Sequence, residues 1–284
     1  MNQTEQKFPL ISVITISLNT ARFIEQTIQS VLSQTYPQIE YILIDGGSTD
    51  GTVDIIRKYE SHLAYWHSKP DRGLAHAFNL GFEHSHGDWI IYLNAEDFFL
   101  DSSVVEKMVP HIIAHPEANL VFGETFFMTG EKNPKPAPLR KIFGRPWRWN
   151  VFRLKDTLPH QSSFTNRKYF DKVGKFDEFY RIACDYEFFL RGGQQLRPVF
   201  VPLAISGMRL GGASGRDYFQ TLSESRIAQQ NTNALPPILA WINLFWLLFY
   251  RHMGKIVFKV LGPFASKIKW QGRCSGKRLS NLIY

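Results

Sequence analysis

Four acids in the first hundred residues stand where chemistry could use them. Asp45 precedes Gly46-Gly47, Asp71 lies in Pro70-Asp71-Arg72-Gly73, and Asn94-Ala95-Glu96-Asp97 sets two carboxylates side by side. Adjacent carboxylates repel unless something positive sits between them. A divalent cation with oxygen ligands, Mg²⁺ or Mn²⁺, answers that repulsion and is typically shared with substrate phosphates. The alternative is that Asp97 caps a helix while Glu96 stays solvated. An Asp beside two glycines can accept from the N–H of a base, since Gly lets a flat ring approach the backbone. The same residues also make an ordinary strand-to-helix turn. Farther along, Asp185 in Cys184-Asp185-Tyr186-Glu187 could cap the helix that follows. His160 is a lone histidine of the kind that is often structural. His84/His86 and His111/His115 have zinc-like spacings, but no H-E-x-x-H and no third ligand accompany them, so solvated helix faces are expected.

The elements that must position these residues alternate. Leu10–Ser17 is a short apolar, β-branched run suited to a buried parallel strand. Asn19 and Thr20 are N-cap types before a helical stripe through Phe23, Ile24, Ile28, Val31 and Leu32, which Pro37 ends. Strands follow at Tyr41–Ile44, Leu63–His67, Trp89–Leu93 and Leu120–Phe122, with helices from Asp50 or Thr52 to Tyr59, up to Glu83, and over Ser102–Ala114. Such alternation predicts an α/β fold on a parallel sheet, and in such sheets ligands bind beyond the carboxyl ends of the strands. Asp45, Asp71 and Glu96-Asp97 all fall there. Residues 130–150 are rich in Pro and basic residues and read as a mobile loop or lobe boundary. Pro198–Ile205 reads as a strand, and from Arg216 the chain reads as helical.

Several cofactor classes drop out. No glycine follows the first strand at Leu18-Asn19-Thr20-Ala21-Arg22, so the G-x-G-x-x-G turn of nicotinamide and flavin enzymes is missing, and no G-x-x-x-x-G-K-[ST] loop occurs. A diphosphate bound here would need another counter-charge, which a metal on Glu96 and Asp97 would supply. A sugar-nucleotide pyrophosphorylase would also want a glycine-rich basic loop after the first strand.

Read together, these segments resemble the family 2 glycosyltransferases of GT-A type over roughly residues 10–230. The matching pieces are S-V-I-T-I-S-L-N at Ser12–Asn19, I-D-G-G-S-T-D-G-T at Ile44–Thr52, S-K-P-D-R-G at Ser68–Gly73 and G-D-W-I-I-Y-L-N-A-E-D at Gly87–Asp97. P-H-Q-S at Pro159–Ser162, G-K-F-D-E at Gly174–Glu178 and C-D-Y-E-F at Cys184–Phe188 continue the likeness. Gly211-Gly212-Ala213-Ser214 matches a polysaccharide-building, colanic-acid-type subgroup. The resemblance implies a Rossmann-like, mostly parallel sheet flanked by helices. It implies a nucleotide-sugar-binding half over 1–125, an acceptor-binding and catalytic half over 126–215, and a helical segment over 216–284. Donor contacts would come from Asn19, Asp45, Gly46, Asp71, Asn94, Ala95 and Glu96, with UDP the mildly preferred nucleotide. Glu96 and Asp97 would hold Mg²⁺ or Mn²⁺ at the family's D-x-D position, written here Asn94-x-Glu96. Asp185 would deprotonate the acceptor hydroxyl in an inverting displacement, with His160, Gln161, Gly211 and Gly212 near the acceptor or diphosphate. His76 and Phe78 replace residues common in the family, which leaves a non-catalytic nucleotide-sugar binder or partner subunit as the alternative.

The charge is concentrated at the end. The net charge is +8, but the first 224 residues hold all 25 acids and 24 of the 33 basic residues. Ile238–Tyr250 is an aromatic-rich apolar run too short to span a bilayer, and Arg251, Lys255 and Lys259 recur every four residues behind it. This pattern suits a helix lying on an anionic membrane surface; packing on the catalytic lobe or a dimer partner is the alternative. No nucleic-acid motif accompanies the basic residues. With two cysteines and no apolar leader, the expected location is cytoplasmic, peripheral on the inner face of the cell membrane, near a glycan or lipid-linked acceptor.

Overall fold

The computed structural model describes residues 8–128, 140–209 and 217–250. Its first third is the expected alternation: β1 (Ile11–Ser17), α1 (Ile24–Leu32), β2 (Ile39–Asp45), α2 (Thr52–Arg57), β3 (Tyr65–Ser68), α3 (Leu74–Glu83) and β4 (Trp89–Tyr92). Then come β5 (Phe98–Phe99), α4 (Val104–Ala114), β6 (Leu120–Met128), β7 (Arg140–Phe143), α5 (Trp149–Phe152), β8 (Ser163–Asn166) and α6 (Arg167–Val173). α7 (Cys184–Gly192), β9 (Pro198–Arg209), α8 (Tyr218–Asn231) and a helix over 237–250, here α9, complete the described residues.

One sheet runs through both halves in the order β3-β2-β1-β4-β8-β6-β9-β5, with β7 on β6. β1 is parallel to β2 and β4, and β2 to β3. From β1 the chain winds outward to β3, then returns through α3 to place β4 on the other side of β1. In sheets of this kind the ligand crevice lies at that reversal, beyond the carboxyl ends of the strands, here β1 and β4. Beyond β4 the expected parallel order breaks. β8 inserts between β4 and β6 and pairs antiparallel with both, whereas β6 and β9 are parallel. The sequence periodicity could not show this, because a four-residue strand buried on both faces reads alike in either direction.

The strand period explains the two-sided core. Ile14, Ile16, Ile42, Ile44, Ile90 and Tyr92 face one way, onto α3, α6 and α7. Val13, Tyr41, Leu43, Trp89, Ile91 and Leu93 face the other, onto α1 and α4. Each face buries apolar side chains worth roughly 1.5–3 kcal/mol apiece. A Cβ on Gly81 of α3 would come within 2.4 Å of Ile14 Cγ2, so α3 lies close on β1 only because that position is bare.

Local differences from expectation have physical causes. α1 starts at Ile24 with no side-chain cap. Asn19, in left-handed backbone with φ 52, instead ties the β1 loop to the β2 loop. Its Oδ1 accepts from Thr49 N (2.9 Å) and its N–H donates to Ser48 Oγ (2.7 Å). His84, at the C-terminal cap of α3, stacks on Tyr65, and His86, past the end of α3 and largely exposed as expected, meets Glu40 Oε1 at 2.7 Å through Nδ1, so neither lies within the helix. Of the loop expected at 130–150, residues 140–143 form β7; residues 129–139 lie outside the described residues. Among the described residues no helix is long and apolar enough to cross a membrane. The basic residues after Tyr250 also lie outside them.

Candidate active site

The turn after β4 is built from the backbone outward. Leu93 N and Ala95 N continue the β1 ladder by donating to Ile14 O and Ile16 O, and Asp97 N closes the turn on Asn94 O. Thr27 Oγ1 of α1 pins it from beneath, reaching Ala95 O (3.0 Å) and Asp97 O (2.6 Å). Asp97 is left buried and caps nothing: α4 begins seven residues later, where Asp101 Oδ1 takes Ser103 N instead. Burial, with the neighbouring Glu96 charge adding, pushes the Asp97 carboxyl up to about 8; Arg209 opposes the shift. The Arg209 guanidinium donates to Glu96 O and Gln26 Oε1 and sits over the Phe23 and Phe98 rings. Arg209 is missing from the sequence-derived site. Its one signal was a cation two residues before the Gly211-Gly212 motif, beyond the strand expected at Pro198–Ile205.

Asn94 Oδ1 is shielded from water and has no hydrogen-bond partner. A buried amide oxygen left unpaired costs about 1–3 kcal/mol. Beside it stand Glu96 and a carboxyl that burial holds in its neutral range. These oxygen-only donors fit a hard divalent cation that completes its shell from substrate phosphates. Among the described residues no group of three or more His, Cys, Asp or Glu gathers, so the protein alone would supply an incomplete shell. Asn94, Glu96 and Asp97 are the residues that would hold the ion.

Asp45 is fully buried and its carboxylate is saturated. It accepts from Ser17 Oγ, Gly47 N, Ser48 N, Ser48 Oγ and Ser68 Oγ at 2.6–3.1 Å. In this arrangement it locks three strand ends together and shapes the turn. Asp71 is the less enclosed acid of this corner: one oxygen accepts Gly73 N (2.8 Å), and the other lies 2.6 Å from where a Cβ on Gly46 would stand. Arg72, next to it, makes a fork to Glu178 at 2.9 and 3.0 Å and so ties the donor side to the second half. His76 Nδ1 accepts from Arg72 N at 3.3 Å.

Asp185 lies in the first turn of α7, where Oδ1 accepts Tyr186 N at 2.8 Å. His160 and Asp156 are among the groups that feel its charge. His160 is buried, its ring stacked on Tyr92 and edge-on to Phe78 and Phe176; burial lowers its pKa, while Asp185 pulls the other way. The Asp156 carboxyl, withdrawn from water and facing Asp185, is held well above the usual carboxylate range. Gln161 is half-buried beside His160. Gly211 and Gly212 lie outside the described residues.

The sequence reading also missed Glu224. This buried carboxylate of α8 accepts from Ile182 N (2.8 Å) and Ala183 N (2.9 Å), the backbone donors just ahead of the helix that carries Asp185. Nothing local marks it, since the contact spans about forty residues. Glu224→Gln replaces an anion facing two donors by an amide that satisfies them less well. We expect a loss of about 1–3 kcal/mol in urea unfolding and a fall in kcat larger than the change in KM, because α7 is positioned rather than the donor bound.

Comparisons with known proteins agree with this geometry. The family described as Glycosyl transferase family 2 matches residues 12–174, which includes the β1, β2 and β4 loops and stops short of Asp185. An uncharacterized glycosyltransferase of Mycobacterium tuberculosis is 34% identical over 198 residues, 68% of this chain and 72% of its own. A putative teichuronic acid biosynthesis glycosyltransferase of Bacillus subtilis is 40% identical over 94 residues, 31% of this chain and 36% of its own. Among solved structures, S. aureus TarS 1–349 in complex with UDP aligns with TM-score 0.59 at 18% identity, covering 92% of this chain and 76% of that one. A mannosyltransferase from Pyrobaculum calidifontis in complex with GDP-Man and Mn²⁺ aligns with TM-score 0.59 at 17% identity, covering 93% and 82%. The strand-end acids, the crevice at the reversal of strand order and the match over more than half the chain have one reading: the protein belongs to glycosyltransferase family 2.

Proposed function

We propose that the protein transfers a sugar from a nucleotide-sugar to a hydroxyl of a glycan or lipid-linked acceptor, with inversion at the anomeric carbon. The reading places this step at the cytoplasmic face of the cell membrane, in cell-surface polysaccharide assembly. The observation that carries it is the end of β4, where the unpaired Asn94 Oδ1 and buried Asp97 adjoin Glu96 at the mouth of the crevice. Nucleotide complexes of the two structural neighbours support a nucleotide-sugar donor, and the Mn²⁺ in one supports a divalent cation. The teichuronic acid relative supports a polysaccharide acceptor. UDP and GDP both occur among the neighbours, so donor choice rests on the β1 and β2 loops.

In this reading Asp185 accepts the proton of the acceptor O–H as its oxygen attacks the anomeric carbon. The bond from that carbon to the diphosphate oxygen breaks, and its electron pair leaves with the nucleoside diphosphate. When bound, the cation neutralises the charge that grows on the departing diphosphate. Arg209 holds the β4 turn by its bond to the Glu96 carbonyl. Asp45 keeps the β1 and β2 loops at fixed spacing, and buried His160 packs its ring on Tyr92, Phe78 and Phe176.

NMR of the anomeric signals tests the proposal. The chain is incubated with UDP-, GDP- and dTDP-sugars, Mn²⁺ and a membrane glycolipid extract. A product whose anomeric configuration is opposite to the donor's is expected. Retention of configuration would overturn the single displacement at Asp185.

A further inference from the structure

α9 is bound to the rest of the protein along one side only. Ala240 and Leu244 are buried, Asn243 Nδ2 donates to Leu154 O at 2.7 Å, and the Arg226 guanidinium sits 4.1 Å over the Trp241 ring. The opposite side carries Ile238, Ile242, Phe245 and Phe249 at spacings of four, three and four, a single stripe at helical period. Trp246 stands beside it. These side chains are between 57% and 71% exposed. A stripe of this size left to water is unusual for a soluble surface and marks a docking face.

What covers it follows from the charge of the chain around it. From Ser225 to Tyr284 there are nine Lys or Arg and no acid, and eight of the nine come after Tyr250. A protein partner would have to oppose that charge at one place; an anionic lipid surface opposes it everywhere. The fourteen described residues of α9 reach only about 21 Å, short of the roughly 30 Å hydrocarbon core, which fits a helix lying in the interface. There Trp and Tyr are favoured at headgroup depth, and Trp241, Trp246 and Tyr250 supply them.

We propose that α9 is an interfacial anchor that buries its Ile238–Ile242–Phe245–Phe249 stripe in an anionic bilayer and so holds the active site at the membrane surface. One carbonyl links this attachment to the segment near the site. Leu154 O accepts from Asn243 of α9 and from Gln229 Nε2 of α8 (3.2 Å), and Leu154 lies two residues before Asp156 and six before His160. α8 also supplies Glu224 to the start of α7. The anchor is thus joined to both segments that flank Asp185. Its use for a lipid-linked acceptor rests on the transferase reading; the lipid contact does not.

The test is flotation of the full chain with phosphatidylcholine vesicles, with and without phosphatidylglycerol, comparing wild type with Ile242→Ser/Phe245→Ser/Phe249→Ser. The three sites are exposed, so the variant is expected to melt near wild type. Wild type is expected to float with anionic vesicles, with Trp emission quenched by brominated acyl chains, and the variant to lose about tenfold or more in partitioning. Equal flotation of the variant would assign binding to the basic tail alone and overturn the proposal. So would no flotation of wild type, or a wild-type dimer that the substitutions make monomeric. Nucleotide binding, followed by calorimetry in both proteins, separates the outcomes: its persistence without flotation leaves the transferase reading standing, and its loss in wild type removes that reading alone.

Discussion

Replacing Asp185 by Asn is expected to lower transfer by about 100- to 10,000-fold, the range a positioned general base contributes. The substitution is nearly isosteric, and the amide oxygen can still accept the Tyr186 N–H that Asp185 Oδ1 takes now. α7 should therefore keep its place under the Glu224 contact, and Tm should change little. Nucleotide affinity should also hold, because the donor-side residues come from the β1, β2, β3 and β4 loops and none lies on α7. The discriminating pattern is a collapse of kcat with donor Kd unchanged. Turnover within a few-fold of wild type would remove Asp185 from the base role.

The second large effect is on stability and concerns Asp97→Asn. The folded-state pKa of Asp97 is about 8, raised mainly by burial, against roughly 4 in an unfolded chain. Between these values the folded protein keeps a proton that the unfolded chain has released. Asp97 therefore costs stability progressively as pH rises from about 4 to about 8, and the full cost stands above that window. Asn carries no such cost. Without ligand, Asp97→Asn should match wild type near pH 4 and exceed it by a few kcal/mol above about pH 8. Calorimetric melting across this range measures the gap. A gap that does not grow with pH would mean that Asp97 is not the buried, neutral-biased acid described. Activity should fall in the same variant, because the carboxylate offered to a cation is gone.

Much of this site was legible in the sequence, for a definite reason. Strands such as Ile11–Ser17 and Trp89–Tyr92 are short apolar runs whose ends are visible, and an α/β fold puts its chemistry there. Asn94 to Asp97 could be placed at a strand end without coordinates. What they do there could not, because the shielding of Asn94 Oδ1 and the burial of Asp97 depend on Thr27, Gln26 and Arg209. Asp45 shows the same limit from the other side. Its five hydrogen bonds come from three separate segments that pairing of β1, β2 and β3 brings together, so its saturation is a tertiary property. Glu224 and Leu154 O act across dozens of residues, and no local pattern marks such contacts. The insertion of β8 between β4 and β6 was hidden because burial on both faces erases the alternation that would reveal it.

Thermal melting with UDP, GDP or dTDP, each with and without Mn²⁺ or Mg²⁺, in wild type, Glu96→Ala and Asp185→Asn tests the central claim most directly. At one hundred times Kd a ligand adds about 2.7 kcal/mol, a shift of a few degrees for a domain of this size. The account predicts a shift with one nucleotide that needs the metal, is lost in Glu96→Ala and is kept in Asp185→Asn. A shift that ignores the metal, or that survives Glu96→Ala, would contradict the assignment of donor and cation to the end of β4.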